Sequence, residues 1–122
     1  MKYPARRDAG MITAELAAVL PVLLLVLCVA VSAVSVVAAQ ARLQDAAREY
    51  ARAVARGDTG AGQRLADDIA PAAGFAVSSS SDAVTVVATQ RVRLLGEVLP
   101  AVTITGRAVA APEPGGGAAA QP

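Results

Sequence analysis

Residues 16–39 read LAAVLPVLLLVLCVAVSAVSVVAA, 24 consecutive positions without a charge. Coiled as an α-helix at about 1.5 Å per residue, the run is about 36 Å long. A bilayer's hydrocarbon core is about 30 Å thick, so the run spans it with some tilt. Pro21, Ser32 and Ser35 are the interruptions, and membrane helices tolerate such residues. Lys2, Arg6 and Arg7 precede the run against one acid, Asp8. A short basic flank stays in the cytoplasm, which predicts an N-terminus inside and a C-terminal part outside.

The rest of the composition agrees with a dominant apolar block. The chain has 122 residues, 55% of them hydrophobic, yet aromatics are only 2% and charged residues 17%. Alanine and valine bury little area each, so a large soluble core is not expected. There is no histidine and one cysteine, Cys28. That excludes an internal disulfide, a histidine metal site and a histidine-based triad. The net charge of +1 gives no field for nucleic acid. Cys28 follows Leu27 and precedes more uncharged residues, so it reads as a small apolar filler rather than a lipidation site. Arg6-Arg7 is followed by Asp8-Ala9-Gly10, which does not continue a twin-arginine signal. Ala39-Gln40-Ala41 is an acceptable signal-peptidase site, but the apolar run exceeds the usual 7–15 residues of a secretory signal.

Just upstream stands RRDAGMITAEL, residues 6–16. It holds a basic leader, Gly10, and then Glu15 at the edge of the apolar run. By itself Glu15 suits the first turn of a helix, where the macrodipole favours an acid. With Gly10 and the leader, the stretch resembles the type IV prepilin processing signal. The string TAELAAVLPVLLLVL, followed by AREYARA at residues 47–53, resembles the TadE-like minor pilins of tight-adherence pili. The alanine and arginine bias resembles actinobacterial members. The resemblance covers residues 6–56. It implies cleavage between Gly10 and Met11 by a membrane prepilin peptidase. It also implies that Glu15 pairs with the new N-terminal amine, commonly on a neighbouring subunit. Buried charges need such partners. Major pilins of this branch carry Tyr after the acid; Leu16 here implies a minor pilin or pseudopilin. The implied partners are the membrane, the peptidase, other pilin or pseudopilin subunits and the inner-membrane assembly platform.

Beyond the apolar run, residues 40–56 read QARLQDAAREYARAVAR. Leu43, Ala47, Tyr50 and Val54 fall on one helical stripe. Arg42, Asp45, Glu49, Arg52 and Arg56 lie opposite, with Asp45–Arg48 and Glu49–Arg52 spaced as i,i+3 pairs. Gly57 is placed to end the helix, with Asp58-Thr59-Gly60 as a turn. Met11 to Arg56 then forms one spine, with Pro21 as the place for a kink. Residues 62–70 predict a short helix stopped by Pro71. A strand begins at Phe75-Ala76-Val77, and Ser78 to Asp82 form a loose turn. In residues 83–93, Val84, Val86, Ala88 and Val92 alternate with Thr85, Thr89, Arg91 and Arg93. Leu94 to Pro100 connect to a third strand around Val102–Thr105. Pro112 to Pro122, PEPGGGAAAQP, reads as a disordered tail.

The predicted fold is α+β: a long transmembrane-plus-amphipathic helix carrying a small head of one short helix and a three-stranded antiparallel sheet. The expected divisions are a leader at 1–10, a span at 11–39, an amphipathic continuation at 40–57, a head at 58–111 and a tail at 112–122. No catalytic constellation is found. Asp67 and Asp68 are adjacent on a helix and point apart, Ser78 to Ser81 lack an activating base, and Gly115 to Gly117 open no helix. No cofactor, metal, nucleic acid or small-molecule substrate is expected. Two other readings of these residues stay open: a single-pass anchor presenting a binding head without a pilus, and a small domain released after Ala41.

Overall fold

The computed structural model describes residues 8–112 and Pro114. The order of elements is α1 (Asp8–Ala55), α2 (Thr59–Ile69), β1 (Ala73–Ser79), β2 (Val84–Val92) and β3 (Val102–Ala110). The leader residues Lys2, Arg6 and Arg7, and the tail apart from Pro112 and Pro114, lie outside the described residues.

Helix α1 has 48 residues and continues through Pro21, which gives a rod about 72 Å long. Proline removes one backbone donor and leaves the carbonyl of Ala17 without its i+4 partner. The two serines of the apolar run turn back on their own helix. Ser32 Oγ donates to the Cys28 carbonyl at 2.8 Å, and Ser35 Oγ to the Val31 carbonyl at 3.0 Å. A hydroxyl satisfied in this way suits an environment without water.

Gly57, at φ +83°, ends α1. Its N–H donates to the Val54 carbonyl, and the Asp58 N–H to the Ala53 carbonyl, each at 2.9 Å. This is the left-handed glycine cap that the sequence predicts there. The expected turn over Asp58-Thr59-Gly60 and the start of the short helix at 62 are both corrected. Asp58 Oδ1 accepts from the Ala61 N–H at 3.1 Å, and with that cap α2 starts at Thr59.

The three strands form an antiparallel sheet in the order β1-β2-β3. Phe75 pairs with Ala88, Val86 with Ala108, and Gln90 with Ile104. Val84, Val86, Ala88, Ile104 and Ala108 turn to one face and are buried. That face meets the amphipathic half of α1 around Leu43, Ala47 and Ala51, while Ala66 of α2 joins the same core. Tyr50 and Phe75 meet edge to face, ring centroids 5.7 Å apart. This pair ties α1 to β1 and supplies the bulk that the alanines lack. Strand β1 runs to Ser79, so the serine turn narrows to Ser80–Ala83, where Ser80 Oγ accepts the Ala83 N–H at 3.1 Å.

Strand β3 extends to Ala110, five residues beyond the predicted segment. Its inward positions after Ile104 are Gly106 and Ala108, small residues that show little hydropathy contrast. The structure requires that smallness. A Cβ on Gly106 would stand 3.0 Å from the backbone oxygen of Leu43, so β3 lies directly on the helix backbone.

Candidate functional site

Most of the apolar half of α1 is left uncovered by the rest of the described residues. Leu16, Leu20, Leu23, Leu24, Leu25 and Leu27 are each 58–64% exposed. The helix is long and apolar enough to cross a membrane, and none of its most apolar stretch is buried in the molecule. A contiguous apolar surface of this size needs an apolar environment. One long apolar N-terminal helix fits a single-pass membrane anchor.

Gly10, Met11 and Glu15 stand at the start of this rod. All three lie within α1, so the Gly10–Met11 peptide bond is helical. Met11 is 75% exposed and Glu15 is also exposed. Glu15 follows Met11 at an i,i+4 spacing, so they share one helix face with a rise of about 6 Å. An amine created at Met11 would therefore lie near the same face as the carboxylate. Because α1 begins at Asp8, Glu15 lies about two turns inside the helix, beyond the first turn where the sequence placed it and where the macrodipole acts. Pro21 sits between this site and the rest of the apolar run.

Further along, Leu43 and Ala47 are fully buried, Tyr50 is 5% exposed, and Val54 is half-buried. The opposite face carries the charges. Arg48 lies 3.6 Å from Asp45, and Arg52 lies 3.2 Å from Glu49. Exposed pairs of this kind add little stability. The buried stripe is wider than sequence periodicity suggests. Ala46, Ala51, Ala53 and Ala55 are also buried. Ala47, Ala51 and Ala55 recur every four residues, a spacing that lets backbones approach closely. Gly62 of α2 packs closely on another part of this surface: a Cβ there would come 2.5 Å from Ala53 Cβ and 3.0 Å from the Tyr50 ring.

Hydrogen bonds align the head along the helix. Gln40 Nε2 donates to the Thr105 carbonyl at 2.9 Å, and the Arg107 N–H donates to Gln44 Oε1 at 3.2 Å. An open cleft is lined by Arg91, Arg93, Gly96, Glu97, Leu99 and Ala101. Its charged residues are Arg91 and an exposed pair, Arg93 and Glu97, 3.5 Å apart. No nucleophile stands with a base in it. Among the described residues no group of three or more histidine, cysteine, aspartate or glutamate side chains could hold a metal ion.

Comparison with known proteins gives two findings. Residues 10–52 match the model of the TadE-like protein family. The matched segment starts at Gly10, includes Glu15 and ends within the buried stripe. The chain is also 44% identical over 109 residues to a Mycobacterium tuberculosis protein described as apoptosis inhibitor Rv3655c, covering 89% of this chain and 83% of that protein. No solved structure shows significant similarity to the chain.

Proposed function

This chain belongs to the TadE-like protein family, and we propose that it is a membrane-anchored minor pilin or pseudopilin, processed after Gly10 and assembled into a tight-adherence pilus or a related secretion machine. The observation that carries this reading is the placement of Gly10 and Glu15 at the head of an uncovered apolar rod. The N-terminus lies in the cytoplasm and the head outside, as the basic leader favours. The peptidase opens the peptide bond between Gly10 and Met11 and leaves an amine on Met11. In a bundle of apolar helices that amine is costly unless paired, and the Glu15 carboxylate of a neighbouring subunit pairs with it. The helix from Leu16 to Ala39 then exchanges lipid for the corresponding helices of other subunits. The chain acts as a structural part, the substrate of an enzyme rather than an enzyme.

The test of this role is Glu15→Ala. The apolar run is unchanged, so membrane insertion persists, whereas pili or cross-linked pilin complexes are lost. Normal assembly by Glu15→Ala refutes the pairing role. The competing reading, an anchor that presents a binding head without a pilus, expects Glu15→Ala to behave like the parent chain. A second reading draws on the relative described as an apoptosis inhibitor: the head acts on a protein of another cell. It expects the full chain to lower cell death in an apoptosis assay, whether or not Glu15 is replaced.

A further inference from the structure

We propose that the loop between β2 and β3, residues 93–101, is a second membrane contact that dips into the outer leaflet beside the spanning helix. The inference rests on the membrane-anchor reading of α1 and not on processing or assembly.

Two independent observations place the loop at that depth. The first is the alignment of β3 with α1. Thr105 is bonded to Gln40, Gly106 lies on Leu43, Arg107 is bonded to Gln44, and Ala108 to Ala110 stand beside Arg48 to Arg52. Strand and helix therefore climb together, and β3 traced backwards from Thr105 descends toward the bilayer. Counting about 1.5 Å per residue from Leu16, Gln40 lies roughly 36 Å along the rod, about 6 Å beyond a hydrocarbon layer about 30 Å thick. Val102 lies three residues lower, about 10 Å at a strand rise of about 3.3 Å, which puts it inside that layer. The second observation is a direct one. Leu95 lines a shallow apolar cleft with Leu27, Cys28, Val31 and Ser32. Those helix positions lie roughly 17–24 Å from Leu16, within the same layer.

The chemistry of the loop suits lipid. Val98 is 84% exposed and Leu99 42% exposed, large apolar side chains at the tip of a connector, where polar turn residues are the usual choice. Glu97, the acid of the loop, faces Arg93 at 3.5 Å, so the two charges enter the layer as a pair, which charges taken out of water require. Arg91 pairs in register with Thr103, near the hydrocarbon boundary, where an arginine keeps its head in water and its stem along apolar surface. The backbone is shaped for the tip: Leu95 and Gly96 both take positive φ, +52° and +64°, turning the chain sharply below the sheet. The loop thus fixes the height and rotation of the head above the membrane, which a single helix alone leaves free.

The test uses the full chain with Cys28→Ala, which removes the single cysteine. One new cysteine is introduced at Val98, Val22 or Ser80 and carries an environment-sensitive fluorophore. The labelled chains are reconstituted in phosphatidylcholine vesicles with or without bromine on the acyl chains. The label at Val22 reports the anchor; Ser80, at the opposite end of the sheet, reports water. The proposal expects brominated lipid to quench Val22 and Val98 and to leave Ser80 unchanged; Leu99→Cys should repeat the Val98 result. Quenching at Val22 but not at Val98 or Leu99 overturns the loop contact and leaves the anchor intact. No quenching at Val22 overturns the anchor reading and the loop proposal with it. A blue-shifted Val98 signal that bromine does not quench means that a second copy covers the loop, and this also overturns the proposal.

Discussion

At Gly106 a single missing methyl group decides how the head sits on the helix. The inward side of β3 would otherwise carry a side chain into the Leu43 carbonyl, 3.0 Å from the built Cβ. The neighbour is backbone in the middle of a helix and has little freedom to give. Gly106→Ala should therefore lower head stability by about 1–3 kcal/mol, the usual cost of overpacking. Urea unfolding of the full chain in detergent, followed by tyrosine fluorescence in a Tyr3→Phe background that leaves Tyr50 as the reporter, measures it. An unchanged midpoint would mean that the strand lifts off the helix without cost. The sequence shows Gly106 only as a break in alternation between Ile104 and Ala108. Its reason lies in a contact with residue 43, and no local pattern carries information over that separation.

Among the elements, α1 is legible because its two halves each carry a strong periodic signal. The first half is apolar all round from Leu16; the second shows the stripe of Leu43, Ala47 and Tyr50. The strands are legible where valine alternates with threonine, as in β2. What remained hidden is made of small residues: Ala46, Ala51, Ala53 and Ala55 on the two flanks of that stripe, and the far end of β3. Alanine contributes little to hydropathy contrast whether buried or exposed, so its side of a helix is read only from the packed structure. The early start of α2 has a different cause, the capping carboxylate of Asp58. Asp58→Ala removes that acceptor from the Ala61 N–H and should cost about 1 kcal/mol. Hydrogen exchange should show faster amide exchange in the first turn of α2, with the sheet amides unaffected. Equal protection of Ala61 in both chains would contradict the capping role.

As a whole, the molecule is a rod with a thin head laid along its C-terminal half. Among the described residues, two larger than alanine are wholly buried in its core, Leu43 and Val86, and it borrows the helix for most of its apolar surface. The poverty in aromatic residues thus matches a head that needs its spine. The candidate site was legible as a spacing: a glycine, then an acid five positions on, then a long uncharged run. What uses that spacing came from the family resemblance and not from the residues themselves, because under the proposed processing the chemistry would belong to another protein acting on this helix end. The central claim is processing between Gly10 and Met11. The mass of the intact chain isolated from membranes, with and without a co-expressed prepilin peptidase, tests it most directly. The account predicts a chain beginning at Met11 only when the peptidase is present, and none when Gly10→Leu blocks the cut. A chain still beginning at Met1 or Lys2 beside active peptidase, or one beginning at Arg42, would contradict it.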